Sequence, residues 1–273
     1  MDEPRLEKLS PLGKPNAQSP GTGLISRIKW MFAAKKTQPF VPNGLRVYAI
    51  GDIHGCLHEL DTLLAKIVDD AIDFVGEKKI VFLGDYIDRG PDSKQVLDRL
   101  VTPTEGFKSS YILGNHDQTL LDFLEDPSVF RGWRDFGGRE TLMSYGVTPP
   151  RFDNDDAYAQ ARDSLRSVIP QSHLDWLRSL QYSVTIGSYY FVHAGVRPGV
   201  PLDRQAPEDQ LWIRDEFLLS KGDYGAVVVH GHTPTEEPVR LSNRIGVDTG
   251  VYATAKLTAA VLEGTQCRFL STK

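Results

Sequence analysis

The sequence predicts a layered α/β fold with a second β-sheet packed on the first, and three observations predict it. Three runs that read as buried strands, at 45–50, 79–83 and 110–113, each end in a glycine-led polar motif and then pass into a segment with helical periodicity. That alternation is the βαβ pattern of a sheet covered by helices. The β signal returns after residue 180, as a hairpin of 182–186 and 189–192 about a Gly187-Ser188 turn. Further strand runs at 226–229, 245–247, 256–262 and 267–270 suggest the second sheet. Between the two sets, residues 127–180 are punctuated by glycine and proline and carry helical stretches at 157–168 and 173–180. They read as a helical insertion that borders the site.

Each early element has its own justification. Leu57, Leu60, Leu64, Ile67 and Val68 mark an amphipathic helix that should cover one sheet face. Pro91 suits the first turn of the next helix, whose apolar positions are Val96, Leu97 and Leu100. Leu120, Leu121, Phe123 and Leu124 make a third.

Composition bounds the rest. A chain of 273 residues with 40% hydrophobic and 25% charged content is ordinary for a globular protein with a sizeable core. A net charge of -5 offers no bulk attraction to nucleic acid, so no nucleic-acid partner is expected. The two cysteines, Cys56 and Cys267, make neither a disulfide framework nor a cysteine zinc cluster, and Cys56 reads as a small packed residue at a helix start. No apolar run reaches the ~18 residues of a membrane span, and the N-terminus lacks a signal-peptide core, so a cytoplasmic location is expected. Residues 1–44 read as an extension before the main domain at 45–273. The extension opens on a disordered leader rich in Pro, Gly, Ser and charge. Within it, 24–36 has apolar residues at helical spacing beside Arg27, Lys29, Lys35 and Lys36. That reads as a short basic helix, packed on the domain or mobile, with docking to an anionic membrane surface or a partner as the alternative. The oligomeric state is not encoded in any pattern we recognise.

The chemistry resides in five motifs: Gly51-Asp52-Ile53-His54-Gly55, Gly84-Asp85-Tyr86-Ile87-Asp88-Arg89-Gly90, Gly114-Asn115-His116-Asp117, His193-Ala194-Gly195 and Gly231-His232. The first three deliver Asp, His and Asn side chains to the carboxyl edge of a parallel sheet, where ligands bind in open α/β sheets. Oxygen and imidazole donors from several loops suit Mn²⁺, Fe²⁺ or Zn²⁺ better than Mg²⁺ alone. The reading is a metal site, and a two-metal one. His116 follows Asn115, close to the metals without needing to bind them, which suits a general acid oriented and kept charged by Asp88.

In this order the motifs resemble the metallophosphoesterases of the phosphoprotein phosphatase type, over residues 45 to about 260. The resemblance implies a calcineurin-like fold, a central two-sheet β-sandwich flanked by helices. It implies two divalent metals, with Mn²⁺ expected and Fe or Zn as alternatives. Asp52, His54 and Asp85 hold the first, Asp85 bridges, and Asn115, His193 and His232 complete the second. It supports the Asp88–His116 pair. It also matches Arg89 and Arg214 to arginines that clamp phosphoryl oxygens, with Asn115 beside the same phosphate. The physical logic agrees. A carboxylate can bridge two cations, and two metals ~3.5–4 Å apart can activate a shared water to hydroxide for in-line attack at phosphorus. No cysteine-Arg phosphate loop is present.

By that resemblance the expected activity is dephosphorylation of phosphoserine and phosphothreonine in proteins. The alternative is a symmetrical diadenosine tetraphosphate hydrolase, a branch that tends to lack the equivalent of Asp88. A catalytically silent scaffold that binds phosphoproteins is a third reading, opposed by the competent residues at every ligand position. After Gly231-His232 the chain reads Thr233-Pro234-Thr235-Glu236 and soon Val247-Asp248-Thr249-Gly250, which looks like the compact bacterial and phage branch. His173 and His230 read as packing residues, His58 is unplaced, and Asp248 is a candidate to orient a ligand histidine.

Overall fold

In the computed structural model, residues 38–273 are described. The leader and the basic segment at 24–36 lie outside them. Two mixed five-stranded sheets face one another. The first contains β1 (Leu45–Ile50), β2 (Glu77–Phe82) and β3 (Lys108–Tyr111), and the second begins with the hairpin β4 (Ser183–Ile186) and β5 (Tyr189–Val192). The second continues with β6 (Val227–His230), β7 (Val239–Arg240) and β8 (Arg244–Gly246), and the last strands are β9 (Thr258–Glu263) and β10 (Gln266–Ser271). The orders are β10-β9-β1-β2-β3 and β4-β5-β6-β8-β7. In each sheet three strands run parallel, β1-β2-β3 and β5-β6-β8, so their carboxyl ends share an edge.

This corrects the expectation that the last strands build the second sheet. β9 pairs antiparallel with β1, and β10 with β9, in the first sheet. The reason is burial on both faces. Ala259 and Val261 of β9 join the helix-covered core, while Ala260 and Leu262 join the core between the sheets. A strand apolar on both sides needs a central position, and the outer edge of β1 supplies it. β3 ends sooner than expected, at Tyr111, and Ile112 makes a single parallel bridge to Gln181 instead. The two-residue β7 gave no sequence signal.

Period-two alternation sorts β1 cleanly. Val47 and Ala49 face the intersheet core with Val81, Phe191, Val229 and Ile245, while Tyr48 and Ile50 face the helices. Helix α1 (Leu57–Asp70) buries Leu60, Leu63, Leu64 and Ile67, whereas Val68, expected on that stripe, is exposed. Helix α2 (Ser93–Leu100) starts just beyond Pro91, and α3 (Asn115–Glu125) starts on the third motif itself. The segment at 127–180 folds into α4 (Phe130–Trp133), α5 (Gly138–Ser144), α6 (Asp155–Val168) and α7 (Gln171–Arg178). Asn154 Oδ1 caps α6 by accepting from Ala157 N at 2.9 Å. Phe123 of α3 meets Phe130 and Trp133 with ring centroids 5.6 and 5.1 Å apart, and Tyr158 closes on Phe130 at 5.5 Å. All four rings are buried, each worth ~1.5–3 kcal/mol of transfer free energy, which fastens the segment to α3. No helix among the described residues is long and apolar enough to cross a membrane.

Candidate metal centre

The carboxyl edge of both sheets carries the motifs. Asp52 and His54 follow β1, Asp85, Asp88 and Arg89 follow β2, Asn115 opens α3 after β3, His193 follows β5 and His232 follows β6. The backbone here is unusual. His54, Asp85, Asp88, Arg89 and His232 have φ of 44°, 52°, 73°, 67° and 65°, and the only other non-glycine with positive φ among the described residues is Ala255. An L-residue in this region costs roughly 1–2 kcal/mol. Cross-motif hydrogen bonds hold it there. Ile53 N and His54 N both donate to Asp85 O at 3.0 and 2.8 Å, and Gly90 N donates to His54 O at 3.0 Å. Two glycines are required by proximity. A Cβ on Gly114 would lie 2.2 Å from Asp85 N and Oδ1, and one on Gly231 would lie 2.0 Å from Asp52 Oδ1. Gly231→Ala should therefore displace Asp52, lowering retained metal after dialysis and reducing kcat/KM by about 10–100-fold. Metal analysis beside kinetics checks this, and full metal retention would refute it.

Every candidate ligand is buried, and main-chain carbonyls set the tautomers of two of them. His54 Nδ1 donates to Ile87 O at 2.9 Å, and His193 Nδ1 donates to Leu83 O at 2.8 Å, leaving the Nε2 lone pair of each directed inward. His193 Nε2 then faces Asn115 Oδ1 at 2.8 Å and Asp85 Oδ1 at 3.4 Å. Three acceptor atoms converge with no proton to share among them. His232 Nδ1 is 2.9 Å from the same Asn115 Oδ1, and its Nε2 is buried without a hydrogen-bond partner. On the other side, His54 Nε2 lies 3.6 Å from Asp85 Oδ2 and 4.0 Å from Asp52 Oδ2. Asp52 also accepts from His232 N through both oxygens, at 3.1 and 3.0 Å.

The electrostatics point the same way. Burial drives the imidazole pKa of His54 down to about 3 and of His232 down to about 2, and lowers that of His193. These rings are neutral, so their contacts with carboxylates are not ion pairs; neutral imidazole is the ligating form. Burial raises Asp52, with Asp248 and Asp85 adding like charge, and burial raises Asp248 to about 6. Burial opposes ionisation of Asp85 as well; the surrounding histidines, His193 foremost, would lower its pKa only when protonated, so with these rings neutral it falls to a cation to hold that carboxyl low. A divalent cation relieves this crowding of buried acceptors. The donor set fits two: His54, Asp85 and His116 form one convergent group, and Asp85, His193 and His232 form another, with Asp85 common to both.

The structure places the other expected residues unevenly. His116 Nδ1 is 2.6 Å from Asp88 Oδ2, as the pairing requires. Burial disfavours the His116 imidazolium, yet Asp85 and Asp88 outweigh burial and raise its pKa. Arg89 reaches the centre, with Nη1 2.8 Å from His54 Nε2 and Nη2 3.2 Å from His116 Nε2. Its guanidinium also lies over the Tyr252 ring, 4.6 Å from the centroid. Arg214 is exposed at the rim, 3.4 Å from Thr233 Oγ1. Asp248 lies beside Asp52 but accepts from Gly250 N at 2.8 Å, and the carbonyls of Ile87 and Leu83 do the histidine-orienting expected of it. His173 is held between Tyr145 Oη and Asp98 Oδ1 at 2.8 and 2.9 Å, a packing role. His230 packs on Phe217, with ring centroids 5.0 Å apart. Cys56 is buried, and burial pushes its thiol up to about 12.

Sequence reasoning passed over several side chains. Asp117, present in the third motif, binds three main-chain N–H groups: Asp85 and Gly114 on Oδ2 at 2.9 and 3.0 Å, and Tyr86 on Oδ1 at 3.0 Å. Its position three residues into a helix behind a glycine was the available signal. Trp133 and Thr141 both bind Asp88, from 45 and 53 residues away, which no local pattern announces.

The calcineurin-like phosphoesterase family model matches residues 45–261. The chain is 28% identical over 230 residues to the asymmetrical bis(5'-nucleosyl)-tetraphosphatase PrpE of Anoxybacillus flavithermus, covering 77% of this chain and 87% of that one. It is 33% identical over 151 residues to the symmetrical bis(5'-nucleosyl)-tetraphosphatase of Ralstonia nicotianae, covering 55% of this chain and 42% of that one. The cold-active protein-tyrosine phosphatase of a psychrophilic Shewanella has a similar fold, with a TM-score of 0.54 at 19% identity over 96% of this chain and 89% of its own. Family model, paired sheets and convergent Asp/His groups agree: the chain belongs to the calcineurin-like phosphoesterase family.

Proposed function

We propose that this phosphoesterase hydrolyses phosphoric anhydride bonds of dinucleoside polyphosphates, with bis(5'-nucleosyl) tetraphosphate as its substrate. The observation that carries the reading is the similarity to a tetraphosphatase across most of both chains. The full second motif, Gly84 to Gly90 with Asp88 in it, puts protein dephosphorylation first; the similarity to two kinds of tetraphosphatase favours the opposite order.

Asp52, His54 and Asp85 would hold one cation, and Asp85, Asn115, His193 and His232 the second, with Mn²⁺ favoured over Fe or Zn. Bound metals supply positive charge for phosphoryl oxygens and make water more acidic. The chain's own residues do the rest. Arg89 and Arg214 hold phosphoryl oxygens through their planar guanidinium donors, and Asn115 borders the same phosphate. Water attacks phosphorus in line. With Arg89 turned from His116 Nε2, which it faces at 3.2 Å, onto phosphoryl oxygen, protonated His116 gives the leaving oxygen its Nε2 proton as the bond breaks, while Asp88 retains the Nδ1 proton and the orientation of the ring.

One observation supports protein dephosphorylation as a second reading. The Asp88–His116 pair is fully built and buried, and a leaving alkoxide, nearly as basic as hydroxide (conjugate acid ~15.7 for water), requires such an acid. A leaving nucleotide phosphate, with a pKa of ~6, requires it far less.

The test is full-length protein loaded with Mn²⁺ and assayed on diadenosine tetraphosphate and on a phosphothreonine peptide. Faster dinucleotide cleavage is expected, and AMP plus ATP would mark asymmetrical cleavage, two ADP symmetrical cleavage. Faster phosphate release from the peptide would establish the second reading. Silence on both substrates, with two metals bound, would favour a phosphoprotein-binding scaffold.

A further inference from the structure

The carboxylate of Asp88 has more partners than an acid–base pair needs. Oδ2 accepts from His116 Nδ1 at 2.6 Å and from Trp133 Nε1 at 2.7 Å, and Oδ1 accepts from Thr141 Oγ1 at 2.5 Å. The Asp88 N–H reaches Thr141 Oγ1 and Ser93 Oγ, each at 3.0 Å. Trp133 and Thr141 both belong to the 127–180 segment, at the end of α4 and within α5.

Shape complements these bonds. Gly137, with φ of 108°, lies flat against the strained turn; a Cβ there would come within 2.3 Å of Arg89 N and 2.8 Å of Asp88 Cβ. Next to it, a Cβ on Gly138 would enter the Trp133 ring at 2.4 Å. Asp88 and Arg89 are consecutive L-residues in the left-handed region, an arrangement that persists only where surrounding structure over-determines it. The segment at 127–180 supplies that determination through two side-chain donors and one glycine contact.

We propose that this helical segment is the positioning clamp of the acid. Trp133 and Thr141 fix the Asp88 carboxylate, so that the carboxylate fixes the His116 ring with Nε2 aimed at the leaving oxygen, and Gly137 seats the Arg89 backbone. Trp133 and Thr141 are positioning residues, acting through Asp88. The proton on His116 Nε2 passes to the leaving oxygen as the phosphorus–oxygen bond breaks. The attacking water releases a proton to solvent, and solvent reprotonates the imidazole, so the proton count closes over a turnover. The inference rests on His116 as the proton donor and is independent of which phosphoryl compound the cell supplies.

The test uses the full-length metal-loaded protein and phosphate monoesters whose leaving groups run from 4-nitrophenol to phenol to a simple alcohol. Trp133→Phe keeps the ring packed on Phe123 and Phe130 and removes only the N–H; Thr141→Val keeps the volume and removes only the hydroxyl. Each should lower kcat for phenyl and alkyl esters by about 10–100-fold, change the 4-nitrophenyl ester much less, and leave KM and metal content unaltered. Thr141→Ser should restore activity. In the Zn²⁺-loaded protein, a low-field proton NMR resonance from the 2.6 Å His116–Asp88 bond should be present in the parent, absent in His116→Asn and shifted in both clamp variants. Equal losses across the esters, or an unshifted resonance, overturn the clamp. His116→Asn is the control. A steep leaving-group response there beside flat clamp variants sinks this inference alone. A flat response by His116→Asn removes the acid assignment and the clamp together.

Discussion

Asp85→Asn is expected to cost at least about a thousandfold in kcat/KM, roughly 4 kcal/mol of transition-state stabilisation. Asp85 is the residue within reach of both donor groups. Its Oδ1 faces His193 Nε2 at 3.4 Å and accepts from His116 N at 3.0 Å, while Oδ2 faces His54 Nε2 at 3.6 Å. The amide preserves volume and one oxygen, but it removes the charge and the second acceptor that a bridging ligand needs. Metal analysis should show occupancy falling well below two per chain. The fold should survive, because Asp117 independently anchors the N–H groups of Asp85, Tyr86 and Gly114, so an unchanged circular dichroism spectrum separates loss of metal from loss of structure. Activity within tenfold of the parent would remove Asp85 as the bridge.

His116→Asn should behave differently, and its effect should depend on substrate. Positioned acids contribute about 10²–10⁴-fold where the leaving group is basic. A phosphothreonine peptide should lose activity in that range. Diadenosine tetraphosphate should lose less, because a departing nucleotide phosphate is already a weak base near neutral pH. Both metals should remain bound, since Asn115 and the ligand histidines keep their own supports. Equal losses on the two substrates would assign His116 to the metals or to phosphate rather than to the leaving group. An emptied site would place it among the ligands, a possibility that its grouping with His54 and Asp85 makes worth excluding.

The legible part of this protein was the part written in short range. Glycine-led motifs after apolar runs announced strand ends, because close approach of a backbone to a ligand side chain admits only glycine, as at Gly231 against Asp52. All six candidate ligands lie in the five motifs, where the family resemblance assigns them, and the structure brings them to one buried edge. What failed to show was set by distance along the chain. β9 gave its apolar run but not its neighbours, since pairing order is decided by which sheet has a buried edge to fill. Trp133 sits in a glycine-punctuated stretch outside every motif, and only the folded chain reveals its indole N–H on Asp88. Arg214, which the resemblance matches to a phosphate clamp, stands exposed at 3.4 Å from Thr233 Oγ1, and no contact in the structure announces that role.

The five left-handed residues of the centre also bear on how small such an enzyme can be. At roughly 1 kcal/mol or more each, their conformations together cost about 5 kcal/mol, as much as the entire net stability of many domains. A scaffold that hosts them must hold that much in reserve elsewhere, and here two stacked sheets with helices on the outside provide it. Transplanting the motifs alone into a miniature carrier would let each loop relax to ordinary backbone angles, scattering the donors. The large hydrophobic body is therefore part of the catalyst, and the lower limit on its size is set by the backbone of the loops it supports.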